Sequence, residues 1–115
     1  MPLTTHVLDT AHGRPAAGLY IRLFRFDPSH ENRKLLKEVR TNADGRTDAP
    51  LAGELERGVY EILFDVGGYF AQTKETPELP FLGRVPVRFG VADQSSHYHV
   101  PLLVSPWSYS TYRGS

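Results

Sequence analysis

A chain of 115 residues can bury one hydrophobic core without disulfides or metals but has no length for a second, so one domain spanning 1–115 is expected. Thirteen basic and thirteen acidic residues cancel with no block of either sign, which removes the electrostatic footprint of nucleic-acid binding. Zero cysteines exclude disulfides, thiolate nucleophiles and zinc-thiolate sites, and no apolar run is long enough to span a bilayer.

The first strand is predicted over 3–9, where alternation sends Val7 inward and His6 outward. "GLYIRLFRF" supplies a second over 19–26, rich in β-formers with interspersed arginines, and a third follows over 35–41. Asn42-Ala43-Asp44-Gly45 then reads as a turn, because the Asp-Gly step favours positive φ at the glycine, and it leaves Arg46 just beyond the tip. "GVYEILFDV" places Tyr60, Ile62, Phe64 and Val66 on one face of a strand over 59–66, with Glu61 and Asp65 on the other; Gly67-Gly68 read as turn glycines.

Helix is scarce, the best candidate being "TKETPELP" with Thr76 as N-cap, Pro77 at the first position and Pro80 as the stop. "RVPVRFGV" over 84–91 alternates most clearly, Val85, Val87, Phe89 and Val91 sharing a face, while Pro86 marks an edge or a bulge. Over 97–104, "HYHVPLLV" turns Tyr98, Val100, Leu102 and Val104 inward and leaves His97 and His99 together on the outward face. A last strand over 107–113 closes a count of seven, the pattern of an all-β sandwich.

A His-x-His pair on a strand can ligate a metal, but zinc takes three or four ligands and nothing else in the chain completes the set; two histidines on the wet face of a sheet is the stronger reading. Arg46 is either a solvated charge or a clamp for an anion or carbonyl through its planar fork of donors. No G-x-S-x-G elbow supports serine hydrolase chemistry, and "GRPAAG" is no phosphate-binding loop. The first residues, "MPLTTHVLDTAHGRP", lack the regions of a secretory leader. A cytoplasmic location is the default, with the peroxisome, or the periplasm after removal of a leader, as alternatives.

Three separated motifs, "LTTHVLDTAHGRPA", "TNADGRTD" and "HYHVPLLVSPWSYSTYRGS", together resemble the transthyretin-related 5-hydroxyisourate hydrolases, whose hallmark terminal tetrapeptide is matched by Tyr112-Arg113-Gly114-Ser115. The resemblance implies a transthyretin-like (prealbumin-like) β-sandwich of seven to eight strands in two antiparallel sheets with one short helix. It also implies a homotetramer, a dimer of dimers, with active sites in a channel between the dimers; an outward strand face then lines a channel instead of meeting bulk water.

The implied activity is that of a cyclic amide hydrolase acting on 5-hydroxyisourate in urate catabolism, with no cofactor, no metal, no nucleic acid and no membrane as partner. The implied catalytic residues are His6, Arg46, His99 and Ser115, and the implied substrate-binding residues are His6, Arg46, Tyr112, Arg113 and Gly114. Between the two histidines His99 is the favoured general base, with His97 beside it in a lesser role. The alternative is a small-molecule carrier, since transthyretin itself binds hormone in the same channel without catalysis, although the carriers lack the Tyr-Arg-Gly-Ser ending.

Overall fold

The computed structural model describes residues 2–114. Its elements are β1 (Leu3–Thr4), β2 (Val7–Asp9), β3 (Arg14–Pro15), β4 (Tyr20–Phe26), β5 (Arg33–Arg40), β6 (Gly58–Asp65), α1 (Val66–Ala71), β7 (Arg84–Val91), β8 (Tyr98–His99), β9 (Leu102–Val104) and β10 (Tyr109–Thr111). Two four-stranded sheets, β10-β9-β2-β3 and β5-β4-β6-β7, form the layers of a sandwich, and the short β1-β8 pair prolongs the first. The second sheet is antiparallel throughout, whereas the first carries a parallel β2-β9 pair between antiparallel neighbours.

Alternation builds the core as the sequence predicts. Ile21 and Leu23 of β4, Tyr60, Ile62 and Phe64 of β6, and Val85, Val87 and Val91 of β7 join Val7, Leu102 and Val104 of the facing sheet in one buried cluster. Each fully buried aliphatic or aromatic side chain of this kind contributes about 1.5–3 kcal/mol. On the outer face Glu61 is only 5% exposed, against the expectation for an outward carboxylate. The Arg33 guanidinium donates to it and Arg88 Nε lies 3.6 Å away, while the two guanidinium groups cover the rings of Phe24 and Phe26 at 3.9 and 4.0 Å. The buried charge is thus paired, and the guanidinium groups that pair with it lie over the neighbouring aromatic rings.

The helix lies ten residues upstream of the predicted N-cap Thr76. Val66, Tyr69 and Phe70 recur at helical spacing and are buried, and the Asp65 carboxylate accepts from the Gly68 N–H at the N-terminus, so burial outweighs the helix cost of Gly67 and Gly68. The Thr76 segment carries too many prolines to continue a helix and too few apolar positions to bury one. Among the described residues no helix is long and apolar enough to cross a membrane, and every buried side-chain nitrogen or oxygen has a hydrogen-bond partner.

Candidate functional site

Segments 3–9 and 98–104 run parallel at a constant offset of 95 residues, pairing Leu3 with Tyr98, Thr4 with His99 and Val7 with Leu102. The ladder is interrupted midway, where Pro101 has no N–H to offer. Main-chain bonds still hold the gap: Val100 N–H donates to Thr4 O and Leu102 N–H to His6 O, both at 2.9 Å, and the Thr5 hydroxyl donates to Val100 O at 2.6 Å. Side-chain alternation therefore survives the interruption. Leu3, Thr5 and Val7 are buried while Thr4 and His6 are half-buried on the other face, next to His99.

The Asn42–Arg46 turn brings the arginine to this face. Asn42 Oδ1 accepts from the main-chain N–H groups of Asp44 and Arg46, and Gly45 takes φ of 74°. A Cβ at Gly45 would stand 2.4 Å from Val7 O, the atom-tight approach that lets Val7 N–H donate to Gly45 O at 2.8 Å and pins the turn to β2. His6 Nε2 lies 2.9 Å from the Asp44 carbonyl oxygen. A carbonyl only accepts, so His6 carries its proton on Nε2 and presents Nδ1 to any reacting group. The exposed Arg46 lines a cavity of about 150 Å³ with Thr4, Thr5 and Thr47.

His99 holds its proton less tightly than an ordinary histidine. Burial disfavours its cationic form, and the charge of Arg46 and the neighbouring His97 and His6 act in the same direction, opposed by a hydrogen bond at the Thr4 main chain. Thr4 Oγ1 sits 2.9 Å from His99 Nδ1 and 3.0 Å from His97 Nε2, so one hydroxyl joins the two rings. Thr4 is the site residue that sequence reasoning missed; the signal was present, because Thr4 and His6 are two residues apart on one strand and must share a face.

The tail folds back onto this histidine. Gly114 N–H donates to His99 O at 2.7 Å, and a Cβ at Gly114 would stand 2.5 Å from His99 Cδ2, so only glycine passes over the ring. The Arg113 guanidinium lies 4.3 Å from the centre of the Tyr98 ring. Its charge also contributes to holding Asp93 at about 2, after the side-chain bonds from Ser95 and Ser96 and the Ser95 main-chain bond. Tyr112 is 59% exposed. Thus His6, Arg46, His99 and Gly114 come together, Arg113 stacks on the neighbouring tyrosine, Tyr112 faces outward, and Ser115 lies outside the described residues.

A second histidine cluster, absent from the sequence reading, lies where α1 meets the loop after β2. Asp9 is 1% exposed and its Oδ2 accepts from Tyr69 OH at 2.8 Å and from His12 Nδ1 at 2.7 Å. His12 Nε2 reaches the Glu75 carboxylate at 3.1 Å. Burial would raise the Asp9 pKa, but the bonds from Tyr69 and His12 outweigh it and hold the carboxyl below its usual range. Bonds to Glu75 and then Asp9 raise His12. Among the described residues no group of three His, Asp or Glu side chains is arranged to hold a metal ion.

Residues 3–114 match the family described as HIUase/Transthyretin family. The chain is 54% identical over 115 residues to "5-hydroxyisourate hydrolase" of Deinococcus radiodurans, the match covering 98% of this chain and 95% of that one. It superposes on a crystal structure of (S)-allantoin synthase with a TM-score of 0.91 at 50% identity, covering 99% of this chain but only 43% of that longer one. It also superposes on sea bream transthyretin in complex with thyroxine with a TM-score of 0.88 at 26% identity, covering 99% of this chain and 95% of that one.

Proposed function

The chain belongs to the HIUase/Transthyretin family, and we propose that within it this protein is the hydrolase, opening the six-membered ring of 5-hydroxyisourate to give 2-oxo-4-hydroxy-4-carboxy-5-ureidoimidazoline. The observation that carries the reading is a half-buried histidine of lowered proton affinity, facing an arginine and a second histidine, with a glycine of the tail laid across it. The relative at 54% identity bears the hydrolase name, whereas the thyroxine-bound carrier stands at 26%.

In this reading His99, neutral at physiological pH, takes a proton from water as the water attacks a ring carbonyl. Arg46 donates to the oxygen that gains charge in the tetrahedral intermediate. The C–N bond then breaks, the carbonyl carbon becomes a carboxyl group that loses its proton to solvent, and the histidinium returns the proton taken from water to the departing nitrogen. His6, fixed as the Nε2–H tautomer, presents its Nδ1 as the second proton-handling group. The resemblance assigns Tyr112, Arg113 and Gly114 to the wall of the substrate slot, with Gly114 laid across His99, and Ser115 to ordering the attacking water or covering the site.

The same reading includes a homotetramer, a dimer of dimers, with the site in a channel between subunits. Two observations support it. β10 and β7 are open edges of the two sheets, and ring contact between Phe81 and Trp107, at 6.1 Å, brings the segments leading into those edges to one flank. Leu79, Phe81, Trp107 and Tyr109 are exposed large apolar side chains, of the kind a subunit interface covers. The compartment follows the sequence reading, cytoplasmic.

The test is to add the purified protein to urate and urate oxidase and follow the decay of 5-hydroxyisourate absorbance. Acceleration over spontaneous decay is expected; none would overturn the hydrolase reading. Light scattering at micromolar concentration should give the mass of four chains, and a monomer would overturn the assembly.

A further inference from the structure

Thr4 and His97 are absorbed by none of the roles above, yet one hydroxyl oxygen lies within hydrogen-bond distance of both His97 Nε2 and His99 Nδ1. A threonine hydroxyl has a single proton to donate and lone pairs to accept. It can therefore donate to only one of the two rings, and the choice fixes the tautomer of both. We propose that Thr4 and His97 are positioning residues that lock His99 in the tautomer with its proton on Nδ1 and its lone pair on Nε2, the form that can act as a base. The proposal rests on the hydrolase reading for its catalytic consequence but not for the tautomer itself.

The reasoning runs through the direction of each bond. When the Thr4 hydroxyl donates to His97 Nε2, its oxygen is left to accept from His99 Nδ1–H, and Nε2 of His99 is free. When it instead donates to His99 Nδ1, the His99 proton is forced onto Nε2 and the ring can no longer take a proton there. Only the first arrangement leaves His99 a free lone pair: Thr4 Oγ1 occupies Nδ1 at 2.9 Å, and among the described residues no hydrogen bond engages Nε2. The chain geometry holds all three groups in place, since Thr4 pairs with His99 in the β1-β8 register and Val100 N–H donates to Thr4 O.

His97 is then the sink for the hydroxyl proton. Without it nothing keeps that proton away from His99 Nδ1, and the threonine becomes a donor to the very ring it should accept from. The charged and titratable groups facing His99 are His97 from its own segment, His6 from the segment joining β1 to β2, and Arg46 from the turn docked on β2. Among the described residues none of these is a carboxylate, so no described anion fixes the tautomer in place of the threonine, as Asp9 fixes His12.

The test combines nitrogen-15 chemical shifts of the imidazole rings in the intact protein with turnover of 5-hydroxyisourate. In the natural chain His99 Nε2 should resonate as an unprotonated, pyridine-like nitrogen. Thr4→Val should let His99 take mostly the Nε2–H tautomer and lower kcat by the factor by which the Nδ1–H population falls, about 5- to 10-fold, with KM within about twofold. Thr4→Ser should restore both signal and rate. His97→Ala should cost about as much as Thr4→Val, and the double variant no more than either alone.

A natural chain with the proton on His99 Nε2 would overturn the lock, as would Thr4→Val with unchanged shifts and kcat. Should Thr4→Val fail to fold, the shifts of the natural chain and of Thr4→Ser still decide. A natural chain that shows the Nδ1–H tautomer yet no acceleration would retain the lock and overturn the hydrolase reading instead.

Discussion

Two histidine clusters are built from the same N-terminal segment, and they are opposites. His12 lies between Asp9 and Glu75, and both carboxylates raise its proton affinity. His99 lies among Thr4, His97, His6 and Arg46, where burial first and then the charge of Arg46 lower it. A histidine held as a cation by two anions is a fastener, with both ring nitrogens occupied as donors and no lone pair for a substrate. A histidine kept neutral by its surroundings retains a lone pair and can take a proton. The comparison teaches that identity as histidine says little; the charge of the partners decides whether the ring ties or reacts.

The largest effect that sharpens this contrast is on turnover. His99→Asn, which keeps a polar planar group, should lower kcat by about 10²- to 10⁴-fold while the thermal transition stays near that of the natural chain. Steady-state rates on freshly generated 5-hydroxyisourate check this, and a variant within a few-fold of the natural rate would break the distinction between the clusters. Removing the tail from Tyr112 onward should act in the same direction, because it deletes the Gly114 bond to His99 and the glycine laid over its ring.

Next in size is the fastener. Asp9→Ala strips the acceptor from Tyr69 OH and from both bonds of His12, and should cost about 1–3 kcal/mol of stability, the range for leaving a buried polar group unpaired. Urea unfolding measures it, and the remaining folded fraction should turn over substrate at close to the natural rate. A large loss of kcat with stability intact would show that the Asp9 cluster takes part in chemistry.

Smaller still are the two pH effects, which have opposite signs. The folded pKa of His99 is depressed, so its neutral form persists below the ordinary histidine value of about 6.5, and the acid limb of kcat against pH should fall at a lower pH than that. The folded pKa of His12 is raised. Its contribution to stability is therefore complete below about pH 6.5 and disappears as pH rises through the folded value. Thermal midpoints of the natural chain and His12→Gln should differ most at the acid side of that window and converge above it; a constant gap would mean that charge plays no part in the fastening.

Much of the site was legible in order along the chain. Period-2 alternation alone put Val7, Tyr98, Val100, Leu102 and Val104 inside and His6 and His99 outside, and the buried and half-buried positions agree. The Asp-Gly step located the turn before Arg46, where Gly45 does take positive φ. The helix was misplaced because proline and capping signals at Thr76 outweighed, on paper, a stretch with two glycines; in the fold the burial of Val66, Tyr69 and Phe70 decides. Alternation placed Glu61 on the outward face, and no local pattern shows that Arg33 of β5 and Arg88 of β7 arrive there to cover it.

The sequence by itself determined the alternating faces, the turn and the kinds of group available, since these follow from periodicity and backbone preference within a few residues. The resemblance named His99 as the base, but only the tertiary structure decided why its ring loses proton affinity while that of His12 gains it. Proton affinity depends on what stands within a few ångströms, and His99 meets Thr4 across 95 residues while His12 meets Glu75 across 63. Separations of that length are set by strand register and by the packing of α1, not by any pattern local to either histidine.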